Sequence, residues 1–272
     1  MSARRTGQPK KARRHPPPGV HTRFGPASRD HLRRVHPVSG ARSAQNRLCY
    51  NFCRGASMEI VWYGHSCFRM IERGMAAVVT DPYDETIGYG PLKLKADIVT
   101  VSHAAPGHNN VDAVKGDRRV IAGPGEFEIG GVFVTGIATD GDRKKKAAEP
   151  KRNTLYLFDF DGLTVCHLGD LDHVPSQAQI EALGAVDVAL VPVGGGGGLN
   201  AAQAAEVVSL LEPSVVIPMH YKTDAVTLKL DPVAKFLKEM GLGAIKPEPS
   251  LKLSKSSLPD ETRVVLLDYK AD

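Results

Sequence analysis

Short apolar runs bounded by turn residues follow one another from Met58 onward, and no other feature constrains the fold more. The first runs, 59–63 and Cys67–Ile71, have the length and the β-branched and aromatic content of strands. Later, Asp161-Gly162 separates two such runs and is a strong hairpin signal. Because strands come first and then alternate with helices, the pattern predicts an α/β fold of two packed sheets with outer helices.

The remaining predicted elements are less regular in length. The predicted strands are 76–80, 97–101, 119–122, 132–138, 154–160, 163–167, 187–192, 214–219 and 263–267, and the predicted helices are 176–183, 201–211 and 232–240. Asn200 is a suitable N-cap for the second helix, and Gly241 ends the third.

The charge of the chain is divided unevenly at Met58. Residues 1–57 contain 13 Lys and Arg against one acid, whereas the remainder contains 22 basic and 29 acidic residues. Since residues 1–57 also show no apolar periodicity, we predict a disordered basic tail and a single domain at 58–272. Three interpretations of the tail are open. It is a nucleic-acid-binding arm, an organelle transit peptide, or a segment that is not translated because Met58 is the real start. Met58 directly precedes the first strand, which favours the third interpretation.

Apolar runs and cysteine content indicate which cellular compartment to expect for the protein. The chain has no run of 18 apolar residues and no secretory signal pattern, so neither a membrane span nor export is expected. The four cysteines are too few for a disulfide framework in a chain of 272 residues. Cys67 and Cys166 lie in apolar strands and are predicted to be core residues. We therefore expect a cytoplasmic protein.

Histidine and aspartate residues follow four different predicted strands. They are His65, His103, Asp170 and His220, each at or just beyond the carboxyl end of its strand. Any one of them could be an ordinary core or surface residue. In layered α/β folds, however, ligands bind beyond the carboxyl ends of the strands. Four such residues together predict one shared site.

These residues lie in motifs that resemble those of the metallo-β-lactamase fold, most closely the bacterial metal-dependent hydrolases that begin with Gly-His-Ser-Cys-Phe. The matching segments are 64–68, 81–83, 101–108, 167–170 and 218–220. The resemblance covers essentially all of 58–272. It implies a four-layer αββα sandwich with a metal site at the edge where the sheets meet. It also implies hydrolysis of an ester, lactone, amide or phosphodiester bond of a small-molecule substrate.

The central His-x-His-x-Asp-His motif of that family is incomplete in this chain. The segment 103–108 has Ala105 in place of the second His and Gly107 in place of the Asp, and no His occurs near 136–142. By the family pattern, the first metal position keeps only His103 and a share of Asp170. Two protein ligands rarely suffice for zinc. We therefore expect this position to be empty.

The second metal position keeps three ligands, His108, Asp170 and His220. Three ligands with an open fourth position are typical of a catalytic zinc site, where bound water has a pKa of about 7. Iron or manganese would also suit two imidazoles and a carboxylate. The metal ligands that we predict are thus His103, His108, Asp170 and His220, for one ion. Asp140 or Asp142 are weaker candidates for an additional oxygen ligand.

Further residues are assigned supporting roles. Asp170 and His65 are the predicted catalytic groups, since the resemblance places His65 near the cleft, where it could orient a ligand or substrate. Asp81 and His173 are predicted to contact the metal ligands from behind, although a surface role suits His173 equally well. His167 is predicted to lie in the core.

Two segments rich in one residue type have plainer interpretations. The glycines at 194–198 lack the Lys-Ser/Thr of a Walker motif, so a mobile loop admitting substrate beside the cleft is the better interpretation. The basic run 143–146 is best interpreted as a solvated loop.

Three hypotheses for function follow. The leading one is a hydrolase that uses one metal ion, and the second is a family member that has lost catalysis and serves as a binding or regulatory protein. A nuclease assisted by the basic tail is the third. An acidic domain repels phosphates, so a nucleic-acid partner is not expected.

Overall fold

The computed structural model describes residues 57–140 and 152–271. The predicted tail lies outside these residues apart from Ser57. The candidate ligand Asp142, the side chain of Asp140 and the basic run at 143–146 also lie outside them. The whole described part of the chain belongs to one compact unit.

The first of two large sheets has six strands. In spatial order they are β14 (Leu251–Leu253), β1 (Met58–Gly64), β2 (Cys67–Ile71), β3 (Val78–Thr80), β5 (Ile98–Thr100) and β7 (Arg119–Ile121). The pairs from β14 to β3 are antiparallel, and those from β3 to β7 are parallel. The carboxyl ends of β3, β5 and β7 therefore lie at one edge of the sheet.

The second large sheet has seven strands. In spatial order they are β15 (Arg263–Val264), β13 (Val215–Met219), β12 (Val188–Pro192), β11 (Leu163–His167), β10 (Arg152–Phe160), β9 (Val132–Asp140) and β8 (Gly125–Ile129). Strands β11, β12, β13 and β15 are parallel, and those from β8 to β11 are antiparallel. A further parallel pair consists of β4 (Leu94–Lys95) and β6 (Val114–Lys115).

Three α-helices occur among the described residues, and all follow β11 in the chain. They are α1 (Gln177–Leu183), α2 (Ala201–Leu211) and α3 (Val233–Glu239), with short 3₁₀ helices at Glu85–Ile87, Val111–Ala113 and Lys255–Ser257. A capping box begins α2, because Asn200 accepts from the N–H of Gln203 and the Gln203 side chain accepts from the N–H of Asn200. None of these helices is long and apolar enough to cross a bilayer.

The sandwich core follows from the alternation of side chains along the strands. In β1, Ile60 and Trp62 join the core shared by the two sheets, whereas Tyr63 joins a second cluster on the other face. Helix α2 packs against β12 and α3, so helices cover the seven-stranded sheet. The second cluster includes residues of the Glu85–Ile87 3₁₀ helix and of β4 and β6. The αββα sandwich is confirmed, with 3₁₀ turns and the β4–β6 pair over the six-stranded sheet.

One tyrosine hydroxyl ties the two sheets together near the carboxyl ends of β5 and β7. Tyr156 on β10 donates to the carbonyl oxygens of Val101 and Ile121, at 2.9 and 3.1 Å, and accepts from the N–H of Gly123. Burial raises the pKa of Tyr156 to about 12, which keeps this hydroxyl protonated. Both cysteines predicted to lie in the core, Cys67 and Cys166, are fully buried.

Candidate metal centre

The edge where the sheets meet gathers the side chains that follow their strands. His65 lies in the turn after β1, His103 after β5, Asp170 after β11 and His220 directly after β13. With His108 they line one cleft of about 570 Å³. The structure thus brings together all five residues that we predicted to bind metal or to act in catalysis.

The donor atoms form two groups that share one histidine. Ring nitrogens of His65, His108 and His220 lie within 4.8 Å of one another. Donor atoms of His103, His108 and Asp170 meet the same criterion. The groups adjoin, since Asp170 Oδ1 is 3.6 Å from His220 Nε2.

The buried carboxylate of Asp81 orients His108. Its Oδ2 lies 2.8 Å from His108 Nδ1, and both of its oxygens accept from Ser102, from the N–H at 2.7 Å and from the hydroxyl at 2.5 Å. An ionised carboxylate can only accept, so Asp81 accepts from His108 as well as from Ser102. Nδ1 therefore carries the proton, and Nε2 offers its lone pair. This is the arrangement typical of metal-binding histidines.

The surroundings of His108 hold its ring in the neutral form. Burial lowers the pKa of His108 well below the usual value, and the neighbouring imidazoles of His103 and His220 lower it further. Burial raises the pKa of Asp81, against the opposing effects of His167 and of the Ser102 hydrogen bonds. A neutral imidazole is the form that binds metal ions.

A backbone hydrogen bond links the two sheets at the site, and a side-chain hydrogen bond supports it. The N–H of His220 donates to the carbonyl oxygen of His65 at 3.1 Å, and Trp62 Nε1 donates to the same oxygen at 3.0 Å. His65 follows a strand of the six-stranded sheet and His220 follows a strand of the seven-stranded sheet. Their spacing is therefore fixed by main-chain contacts.

Left-handed backbone conformations are concentrated at the site. Five non-glycine residues in the described part of the chain have positive φ, and three of them are His65 (51°), Asp81 (38°) and His220 (53°). His and Asp adopt this region more readily than most residues, at some cost in free energy. Strained conformations of this kind cluster at functional sites in proteins.

Two supporting residues were not predicted from the sequence. Asn153 accepts from the N–H of Asp170 at 3.0 Å and donates to the carbonyl oxygen of Leu168, so it fixes the turn that carries Asp170. Ser102 holds Asp81 by donating two hydrogen bonds to its carboxylate. The place of Ser102 immediately before His103 was a usable signal, but nothing in the sequence around Asn153 distinguishes it.

The glycines at 194–198 serve the protein's own packing. A Cβ at Gly194 would lie 2.3 Å from the carbonyl oxygen of His220, and one at Gly198 would lie 2.4 Å from Asp170 Oδ1. The N–H groups of Gly194, Gly195 and Gly198 donate to backbone carbonyls. Gly194 and Gly198 thus allow close approach by His220 and Asp170, while Gly196 lines the cleft and access of substrate there stays a prediction.

Two other histidines lie apart from the donor groups. His167 is fully buried, as predicted, with Nε2 donating to the carbonyl oxygen of Ser66 at 2.9 Å. His173 lies 2.8 Å from Asp172 through its Nδ1 and belongs to neither donor group found in the described residues.

The donor set fits a divalent transition-metal ion. Imidazole nitrogen suits zinc and iron, and carboxylate oxygen also suits manganese. The missing side chain at Gly198 leaves the Asp170 carboxylate its place beside the imidazoles. The residues present are therefore compatible with a bound ion, and His103, His108, Asp170, His220 and His65 are the groups that could hold it.

Known proteins are similar to this chain in both sequence and fold. Residues 59–220 match the family model for the β-lactamase superfamily domain. A UPF0173 metal-dependent hydrolase of Nanoarchaeum equitans is 32% identical over 202 residues, which cover 64% of this chain and 88% of the relative. A UPF0173 protein of Pyrococcus furiosus is 30% identical over 193 residues, or 61% and 84% of the two chains.

A solved structure is similar over nearly its whole length. It is a Thermotoga maritima protein described as a candidate zinc-dependent hydrolase of the metallo-β-lactamase superfamily. It is 39% identical to this chain, with a TM-score of 0.64, and the match covers 77% of this chain and 98% of that one.

Proposed function

Because this chain belongs to the metallo-β-lactamase superfamily, we propose that it is a metal-dependent hydrolase that works with a single divalent ion on a small-molecule substrate. Relatives named metal-dependent hydrolases support the general activity. The incomplete motif at 103–108 supports the use of one ion, since Ala105 and Gly107 offer no ligand.

One observation carries the proposal. A buried histidine, His108, is held by a buried carboxylate so that its second nitrogen faces other metal-binding donors. Carboxylate–histidine pairs of this kind raise ligand basicity and fix the ring in metal sites.

The residues have distinct roles in this proposal. His103, His108, Asp170 and His220 hold the ion, and Asp81 fixes the ring of His108. When bound, the ion supplies Lewis acidity and lowers the pKa of water, as zinc does in other hydrolases. Asp170 is 8% exposed at the cleft and could accept a proton there, while His65 faces the same space. Zinc is the expected ion, and iron or manganese would also suit the donors.

The cleft has the dimensions for a small molecule. Its volume of about 570 Å³ lies within the range of small-molecule sites, roughly 300–1,000 Å³. Ile87, Leu228 and Leu230 contribute apolar walls, and Lys229 adds a cationic group. These walls suit an ester, lactone, amide or phosphodiester with an apolar part and an anionic group.

Metal content is the direct test. The full-length protein, purified and equilibrated with excess Zn²⁺ before desalting, should retain about one ion per chain by elemental analysis. His108→Ala should lose it. His173→Gln, a histidine change outside the donor groups, should retain it.

Activity separates the hydrolase from a binding protein that has lost catalysis. The zinc-loaded protein should cleave at least one chromogenic ester, lactone, amide or phosphodiester, and chelation should abolish this cleavage. Retention of zinc without cleavage of any of them would favour the binding or regulatory role. Absence of zinc after loading would refute the metal-dependent proposal itself.

A further inference from the structure

The ring of His65 packs directly against the rings of two proposed metal ligands, His108 and His220. Its ring centroid lies 4.1 Å from that of His220 and 4.9 Å from that of His108. The three residues are only 1%, 3% and 4% exposed. Three buried imidazoles with nitrogens within 4.8 Å of one another form a compact nitrogen-donor set.

The ring of His65 occupies space that a side chain at position 107 would otherwise take. A Cβ added to Gly107 would lie 2.8 Å from His65 Nε2 and 3.0 Å from His65 Cδ2. Real Cβ atoms essentially never approach another atom as closely as 2.8 Å. A side chain at position 107 would therefore require the ring of His65 to shift.

Backbone contacts fix the point from which the ring of His65 extends. The carbonyl oxygen of His65 accepts from both His220 and Trp62, and the residue is held in a left-handed conformation with φ of 51°. A glycine at 107 and a constrained histidine at 65 are thus two parts of one arrangement. The glycine that removes a carboxylate from the 103–108 segment makes room for an imidazole from a different strand.

We propose that His65 is itself a metal ligand and completes a three-imidazole site with His108 and His220. This assignment rests on the proposed metal-dependent function and revises its ligand set, because His65, His108 and His220 bind the ion while His103 and Asp170 lie beside it. Three histidines with an open fourth position form a known type of catalytic zinc site. An all-nitrogen set favours zinc or iron over manganese, which prefers oxygen donors. Asp170, next to His220, then faces the open side of the site.

The test uses the fact that a side chain at position 107 and the ring of His65 would occupy the same space. Zn²⁺ affinity of the full-length protein is measured by competition with a chromophoric chelator. His65→Gln should weaken binding at least about tenfold, as even the loss of a residue supporting a ligand does. Gly107→Asp alone should also weaken it, because the new side chain displaces the imidazole. The double variant His65→Ala/Gly107→Asp should recover most of the affinity, since its carboxylate then has both room and a metal to bind.

Controls keep loss of folding apart from loss of a ligand. His173→Gln should bind zinc like the wild type, and thermal unfolding of each zinc-free variant reports whether it is folded. If His65→Gln fails to fold, Gly107→Ala provides a variant that retains every donor. Its single methyl group should weaken zinc binding, whereas Gly90→Ala, where a Cβ meets nothing within 4 Å, should not.

The possible results discriminate between the two proposals. Wild-type affinity in folded His65→Gln, or in Gly107→Ala, would overturn the role of His65 and leave the hydrolase proposal standing. A double variant that binds zinc more weakly than both single variants would likewise overturn the role of His65. A wild-type protein that binds no zinc at all would refute both proposals.

Discussion

Replacing Asp81 by asparagine should reverse the proton position on His108 without altering the shape of the site. The Asp81 oxygen nearest the Ser102 N–H must remain an acceptor, at 2.7 Å, so the amide oxygen of Asn takes that place. Its NH₂ group then lies where Oδ2 was, 2.8 Å from His108 Nδ1, and the Ser102 hydroxyl must turn to accept from the same NH₂ group. An amide N–H donates, so Nδ1 must accept. The proton of the neutral ring moves to Nε2, which then cannot bind metal.

The magnitude follows from the role of the carboxylate. Residues that orient a metal-binding histidine typically account for a factor of about 10–100 in metal affinity. At about 1.4 kcal/mol per factor of ten, this corresponds to roughly 1.4–2.8 kcal/mol. Because the substitution preserves shape and removes a buried charge, the unfolding midpoint of the metal-free protein should change little.

The measurement is a zinc titration against a chromophoric chelator at constant pH. Asp172→Asn is a matched control, since it makes the same chemical change beside His173, with the Asp172–His173 contact also at 2.8 Å. It should leave zinc affinity unchanged. Equal affinities for Asp81→Asn and the wild type would refute the reasoning, because His108 would then need no fixed tautomer.

Three further outcomes are expected. Gly198→Ala, whose Cβ would lie 2.4 Å from Asp170 Oδ1, should lower zinc affinity in the same titration, whereas Gly90→Ala should not. Tyr156→Phe leaves the N–H of Gly123 without its hydroxyl partner and should cost about 1–3 kcal/mol in urea unfolding; a smaller loss would mean that water replaces the hydroxyl. Burial lowers the pKa of His167 from 6.5, so the unfolded chain binds a proton there first as the pH falls. The unfolding free energy of the metal-free protein should therefore decrease below about pH 6.5, by at most about 1.4 kcal/mol per pH unit for this group, and a rise in that range would contradict the assignment.

Much of the fold was predictable because it depends on local patterns. The predicted helix at 201–211 matches α2 residue for residue, and β11 matches its predicted strand. Strand β8 was missed although charged and apolar residues alternate from Glu126 to Ile129, because the run is short and its residues are half-buried or exposed throughout. Strand β14 has only three residues, too few to show a pattern. Of the strand predicted at 263–267, only Arg263 and Val264 form β15.

The site was predictable only in part. Strand-end positions correctly brought His103, Asp170 and His220 to one cleft, because the carboxyl ends of parallel strands share an edge. The sequence showed Gly107 only as a missing carboxylate. Its contact with His65 joins residues 42 positions apart, and no local pattern encodes such a contact. The hydrogen bond from Asp170 to Asn153 likewise depends on the pairing of β10 with β11.

The five consecutive glycines at 194–198 carry a consequence for protein engineering. Three of them touch His220, Leu230 and Asp170 too closely for a side chain, and the middle three have positive φ, so each position is restricted for at least one of two reasons. A saturation library of this domain should therefore show this stretch as intolerant as the interior of the sandwich, although its composition suggests a permissive linker. Insertions or loop grafts placed in this stretch because it is rich in glycine should yield almost no functional variants.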